Sequence, residues 1–157
     1  MKRIDLQQMV AILANLGVLV GILLLVYELN QNRQMTQAQT RNAISNTLVD
    51  LQMMEATDTN LQRISVKMRE GEPLTSVETE AFRAQWTAYF RYWENVHYQY
   101  RHGLYDQEEY FAQREAWRGL LNQVPGVRDL WCGRSPLNIS SQFLDEMREL
   151  LGESGCN

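Results

Sequence analysis

The chain has 157 residues, and its 15 Lys and Arg side chains against 19 Asp and Glu give a net charge of −4 at pH 7. This length suits one small domain in addition to a short extra segment. A nucleic acid is excluded as an expected partner, because a protein that neutralises phosphates carries a basic patch or stripe, and this sequence has none.

The first predicted element is a membrane span at 9–29, which follows an N-terminal tail at 1–8. Residues 9–27 carry no charged side chain. As a helix they would measure about 28 Å, close to the hydrocarbon thickness of a bilayer. A cleaved secretory signal is the alternative, but a signal core is usually shorter, and no small-residue cleavage site follows here. We therefore predict an uncleaved anchor.

Two glycines inside the span predict self-association. Gly17 and Gly21 form a G-x-x-x-G pair, which lets a second helix backbone approach closely. Asn15 can hydrogen-bond across such a contact. Ordinary glycine usage in a membrane helix is the alternative interpretation. We expect a homo-oligomer that assembles through the span and the long helix next to it.

A polar segment follows the span. Residues 30–47 are mostly Asn, Gln, Ser and Thr, and neither glycine nor proline interrupts residues 22–70. The helix is therefore predicted to continue over 30–56. A helix that is polar on all sides is a solvated stalk or a polar seam in an oligomer. The stalk is our main interpretation, and a small oligomeric channel, with a lumen of Asn15 and residues 30–47, is the alternative.

Residues 57–157 predict a small helical bundle, so the expected fold class is all-α. Thr75 with Glu78, and Asp106 with Glu109, have the spacing of capping boxes at helix starts. Ser140 can cap the last helix, and Gly152 can end it. Nothing in the sequence has the pattern of a strand. The predicted helices are a short one that Asp58 or Thr59 can cap and that ends near Glu70-Gly71, then 76–102, 107–122, a short segment at 127–132, and the last helix between Ser140 and Gly152.

The helix at 76–102 carries a broad aromatic stripe. Its members recur at steps of three and four residues, which places them on one face. A stripe with this spacing is far more often protein core than a cofactor site. We therefore predict the core of the bundle here and no cofactor. The stripe contains Phe82, Trp86, Tyr89, Phe90, Trp93, Val96 and Tyr100.

The same helix carries a ladder of polar side chains: Arg91, Glu94, His97 and Arg101. Glu94 can pair with either arginine, so we interpret the ladder as structural. Glu94 and His97 also form the E-x-x-H pattern of di-iron bundles, but such sites need two of these motifs and two further carboxylates. We therefore predict no metal site, and a metal-dependent enzyme that uses Glu94 and His97 is the second alternative function.

Other catalytic motifs are missing from the sequence. It contains no G-x-S-x-G, no phosphate-binding glycine loop, and no histidine beside either cysteine. We therefore expect no enzymatic activity.

The two cysteines bear on the orientation of the span. Cys132 and Cys156 have neither metal-ligand nor redox-pair spacing, so we interpret them as free thiols in a reducing compartment. The positive charges that flank the span are nearly balanced between its two ends. The free thiols therefore favour a cytoplasmic C-terminal domain.

Several short motifs together resemble a group of small, uncharacterised, bacterial membrane-anchored helical proteins. In that group a span leads into a Q-x-R-Q-N-T-R-like segment, and a Q-Y-R-x-G-L motif follows later. Here the span leads into ELNQNR at 28–33, and QYRHGL lies at 99–104 between Glu94 and Asp106. The sequence departs from the group's pattern at Glu28-Leu-Asn and at Gln34-Met-Thr. The resemblance implies the same topology in a bacterial inner membrane, and it implies no particular activity.

The expected function is therefore that of a scaffold, binding or signalling module anchored by a single span. Its expected partners are the lipid bilayer, further copies of the chain, and a protein that the sequence does not identify.

Overall fold

The computed structural model describes residues 6–133, 139–152 and 156. In these residues the regular structure is entirely α-helical, which confirms the predicted all-α class with a long apolar N-terminal helix and a small bundle. The chain consists of two compact units, Met1–Gln39 and Thr40–Asn157. The helices are α1 Leu6–Thr57, α2 Thr59–Glu70, α3 Ser76–Arg101, α4 Gln107–Gln123, α5 Val127–Cys132 and α6 Ser141–Leu151.

Helix α1 runs without interruption through the predicted span and the predicted stalk. Its C-terminal part belongs to the bundle, because Ile44 is only 2% exposed and Leu48 and Leu51 pack against the same core. The unit boundary after Gln39 therefore differs from the predicted bundle start at 57. An amphipathic pattern that begins at Ile44 accounts for this difference.

The caps that separate the helices follow from local sequence. Asp58 accepts hydrogen bonds from the amides of Asn60 and Leu61 at the start of α2. At α3 the predicted capping box forms in full, since Thr75 accepts from the Glu78 amide and Glu78 accepts from the Thr75 amide. These bonds satisfy amides that have no partner within the helix.

The second predicted box forms only in part. Asp106 accepts from the amides of Glu108 and Glu109 at the start of α4. The Glu109 carboxylate instead takes the guanidinium of Arg41, with 2.6 Å between Nε and Oε1. Arg41 lies on α1, so this ion pair joins α1 to α4 within the bundle.

Aromatic side chains of α3 form the centre of the bundle core, as predicted. Phe90 and Trp93 are each 1% exposed. Trp93 stacks on Trp117 of α4 with 5.5 Å between ring centroids, and Phe143 of α6 packs edge-on to Trp117. Large aromatic rings bury much apolar area per residue, which suits a core of this size.

The turn between α4 and α5 packs closely against its neighbours. Gly126 has a φ of +76°, a conformation that favours glycine. A Cβ atom at this position would lie 2.6 Å from Cε of Met68 and 3.8 Å from the Phe82 ring. The turn therefore favours glycine for its backbone conformation, and an added Cβ atom would also displace the flexible end of the Met68 side chain.

Cys132 and Cys156 form a disulfide, with 5.3 Å between their Cα atoms, so the predicted free thiols are wrong. The segment 132–156 includes α6, and its two ends come together in space, which sequence spacing does not reveal. The cytoplasmic placement of the bundle loses its basis, because disulfides persist mainly in oxidising compartments. The predicted break at 135–136 and residues 1–5 of the predicted tail lie outside the described residues.

Candidate functional site

The apolar part of α1 exposes its side chains on every side. A window of 18 residues has a mean hydropathy of 2.8, and none of its residues is buried in the protein. Leu13, Leu19 and Leu23 are each at least 60% exposed. Among the described residues this is the one helix long and apolar enough to cross a membrane, and a signal sequence near an N-terminus has the same properties.

Gly17 and Gly21 lie four residues apart, so they share one face of α1. A Cβ atom at either position would meet nothing within 4 Å, so this face is open to a neighbouring helix. Asn15 lies two residues before Gly17, and side chains with this spacing point to opposite sides of a helix. Asn15 therefore lies on a different side of α1 from Gly17, and its part in self-association stays a prediction.

The predicted polar lumen falls across both units. Residues 30–39 belong to the first unit, whereas residues 40–47 belong to the bundle unit. In the second group Ile44 is buried in the core and Arg41 pairs with Glu109. Ile44 and Arg41 thus make contacts within the bundle unit, and the lumen stays a prediction.

Glu94 of the polar ladder connects α3 to α6. Its Oε2 accepts from Arg91 at 2.6 Å, as one of the predicted pairs. Its Oε1 accepts from the backbone amide of Ser140 at 2.7 Å. The Ser140 side chain makes no capping bond, and the Glu94 carboxylate accepts from the amide of Ser140 itself, which ties the start of α6 to α3.

His97 lies deeper in the same contact and is 5% exposed. Its ring packs against Tyr110 and Phe143, and its Nε2 lies 3.8 Å from Oε2 of Glu146. Burial lowers the pKa of His97, and the carboxylate of Glu146 opposes that effect. The imidazole therefore sits in the packed interface of α3, α4 and α6.

Charged partners on α4 and α6 complete this interface. Arg114 pairs with Glu146, and its Nη2 lies 3.0 Å from Glu149. Arg101, the last member of the predicted ladder, donates to Gln142 of α6. In the residues that the structure describes, no group of three His, Cys, Asp or Glu side chains is placed to hold a metal ion. The E-x-x-H pair is thus found at a helix contact.

A cavity of about 520 Å³ opens within the bundle unit, among the C-terminal part of α1 and helices α2, α3 and α4. This volume lies in the range of small-molecule sites, which are mostly apolar with a few polar groups. Its aromatic wall, named here for its five rings, consists of Phe82, Trp86, Tyr89, Trp93 and Trp117.

Glu55 is the carboxylate that lines this cavity. Its Oε2 accepts from the Tyr89 hydroxyl at 3.4 Å, and its Oε1 accepts from the Ser65 hydroxyl at 3.4 Å. Burial, together with the nearby charge of Glu55, raises the pKa of Tyr89 to about 12. The phenol therefore keeps its proton at physiological pH and acts as a donor to Glu55.

Sequence reasoning did not find this cavity. Glu55, Ser65 and Tyr89 come from three helices, and no motif links them. The available signal was the aromatic stripe, which also predicts an ordinary core. A comparison with known protein families finds no match, and neither curated proteins nor solved structures match the chain. The resemblance to a bacterial membrane-anchored group stays a prediction.

Proposed function

We propose that this chain is a single-span protein of a bacterial inner membrane, whose helical unit is a binding module held at the bilayer surface. The observation that carries this proposal is the apolar window of α1, none of whose residues is buried in the protein. An apolar surface of this extent is unfavourable in water, whereas lipid tails match it. The same helix supplies Ile44 to the bundle core, so the anchor and the module share one element.

The orientation that we propose puts the bundle on the oxidising side of the membrane. The Cys132–Cys156 disulfide supports this side, because a reducing cytoplasm keeps thiols reduced. The positive charges that flank the span are nearly balanced between its two ends, so they do not oppose this orientation. This proposal replaces the cytoplasmic placement that rested on free thiols.

Alkylation in intact cells tests the orientation. After cells are treated with a membrane-permeant thiol reagent, the intact mass of the purified chain should show no added groups. Reduction before alkylation should then add two groups, and a Cys132→Ser variant should add one without reduction. Two groups added to the native chain without reduction would contradict the proposed side.

Self-association of the span is tested by the mass of the nanodisc-embedded protein, measured by light scattering and corrected for lipid. We expect a defined oligomer that the paired substitutions Gly17→Leu and Gly21→Leu convert to a monomer, because the added side chains block close approach. Ala11→Leu is the control for added bulk on another face. A monomeric native chain would contradict self-association.

A further inference from the structure

We infer that the cavity of the bundle binds a small organic cation, with Glu55 as its counter-ion and the aromatic wall around its charged nitrogen. The inference names a ligand class for the proposed binding module and rests on that function.

The aromatic wall is held in place by core packing. Trp86 and Tyr89 lie with 5.1 Å between ring centroids, and Trp93 stacks on Trp117 at 5.5 Å. Each of these four rings is at most 7% exposed, so its position is fixed before a ligand arrives. The faces of Trp and Tyr rings attract ammonium groups, most strongly where water is excluded. A wall made of such rings favours a cation over an anion.

Glu55 supplies the complementary charge. Its two hydroxyl partners lie at 3.4 Å, beyond the usual distance of a strong hydrogen bond. A carboxylate can accept about four hydrogen bonds, so Glu55 retains capacity for a closer cationic partner. Within the described lining of the cavity, Arg69 is the one side chain with a positive charge.

Arg69 is placed less favourably for a ligand than Glu55 is. Arg69 is exposed, whereas Glu55 is half-buried. The Nε of Arg69 donates to the Ser65 carbonyl at 3.3 Å. An anionic ligand would meet a solvated guanidinium and a less solvated carboxylate in the same cavity. Since burial strengthens electrostatic effects, the carboxylate decides the preferred sign of the ligand.

Two of the lining residues, Trp117 of the aromatic wall and Tyr92, carry polar atoms without a partner within the described part of the chain. Trp117 is 1% exposed and Tyr92 is 4% exposed. The indole Nε1 of Trp117 and the hydroxyl of Tyr92 are both buried and make no hydrogen bond within the described part of the chain. Buried polar atoms are seldom left in this state.

The test compares acetylcholine, used as a chemical probe, with 3,3-dimethylbutyl acetate, which replaces the charged nitrogen by carbon at the same shape. Binding to the full chain in a non-ionic amphipol is measured by calorimetry and by quenching of tryptophan fluorescence. We expect the cation to bind about tenfold more tightly than its neutral isostere. Equal affinities, or no binding of either compound at millimolar concentration, would overturn the inference.

Glu55→Gln keeps the shape of the side chain and removes its charge, so it should abolish most of the preference for the cation. Glu72→Gln is the matched control, since Glu72 is exposed and lies outside the cavity. Thermal unfolding shows whether each variant is folded. If Glu55→Gln does not fold, the comparison of the two compounds on the native chain still tests the inference. An unchanged preference in folded Glu55→Gln would also overturn the inference.

These assays do not depend on the state of the span. A chain that is monomeric or that loses its apolar segment can still prefer the cation. A chain that is anchored and oligomeric can fail to do so. The two proposals therefore fail on different measurements.

Discussion

The two parts of α1 differ in what their apolar side chains touch, although both belong to one helix. Before Gln39 the large apolar residues are exposed all round, for example Leu16 at 52% and Ile22 at 52%. After Thr40 the exposure is one-sided, since Ile44 is 2% exposed and Val49 is 50% exposed. The first pattern matches lipid as solvent and the second matches a protein core on one side. The continuity of a helix thus does not indicate which surroundings its side chains contact. The distribution of apolar side chains around the helix does indicate this.

The largest expected effect comes from charge in the first part. Leu19→Arg combined with Leu23→Arg should cost about 5–7 kcal/mol of membrane insertion, at about 2.5–3.5 kcal/mol for each arginine near the bilayer centre. The measurement is the fraction of the chain that sediments with membranes. Val49→Arg combined with Met53→Arg is the control, because these residues have the same spacing and are at least half exposed. Equal losses from both pairs would contradict the division of α1.

The next largest effect is expected in the second part. Ile44→Ala should destabilise the bundle by about 2–4 kcal/mol, because it leaves a cavity in the core. Denaturant unfolding followed by tryptophan fluorescence measures the change. Val49→Ala, at an exposed position of the same helix, should stay within about 0.5 kcal/mol. If Ile44→Ala were as mild as its control, residues 40–57 would be a stalk after all.

Glycines also differ between the two parts of the chain. Gly126 of the bundle unit has close neighbours, whereas nothing lies within 4 Å of a Cβ atom added at Gly17 or Gly21 of the predicted span. Gly126→Ala should destabilise the bundle by about 1–2 kcal/mol for the left-handed backbone, and by a smaller additional amount because the flexible end of the Met68 side chain must move. Gly71→Ala is the matched control, since its φ is +72° and nothing lies within 4 Å of the added atom. Both values come from denaturant unfolding, and equal destabilisation would remove the contact with Met68 from the account.

The bundle should also respond to acid at Glu78. The Thr75 amide and the ammonium of Lys67 lower the pKa of this carboxyl from 4.5 to about 2. The charged form is favoured in the folded state, so its contribution to stability is full above pH 4.5 and is lost as the pH falls towards 2. The unfolding temperature of Glu78→Gln should therefore approach that of the native chain as the pH is lowered. A constant difference between pH 7 and pH 2.5 would contradict this role.

A smaller dependence on pH is expected from His97. Its pKa is lowered from 6.5 by burial, so the unfolded chain binds a proton more readily than the folded one. The stability that neutral His97 provides is present above pH 6.5 and is lost as the pH falls below it. Urea midpoints at pH 7.5 and pH 5.5 should differ less in His97→Gln than in the native chain. His102→Gln, at an exposed position, should keep the native difference.

Local features of the sequence were enough for most of the fold. The apolar run at 9–27, the capping box at Thr75 and Glu78, and the aromatic spacing on α3 each depend on neighbours within one or two turns. Such features are readable because helix periodicity and caps are local. Helix ends within the bundle accordingly lie within one or two residues of their predicted positions, whereas α1 begins at Leu6, three residues before the predicted span.

Features that depend on distant residues were missed. The helical spacing of Ile44, Leu48 and Leu51 was readable, but their place in the bundle core depends on partners in other helices. The disulfide joins residues 24 positions apart. Glu109 has the spacing of a capping residue, yet Arg41 takes its carboxylate. The cavity combines residues of four helices, so no short motif marks it.

The most direct test of whether the apolar part of α1 anchors the chain is the intact mass of the protein that floats with membranes after an alkaline wash. If residues 9–29 span the bilayer, as we propose, the membrane fraction should contain the chain with this segment still attached. A shorter chain without that segment, recovered from the aqueous fraction, would contradict the account and identify the apolar part of α1 as a signal sequence.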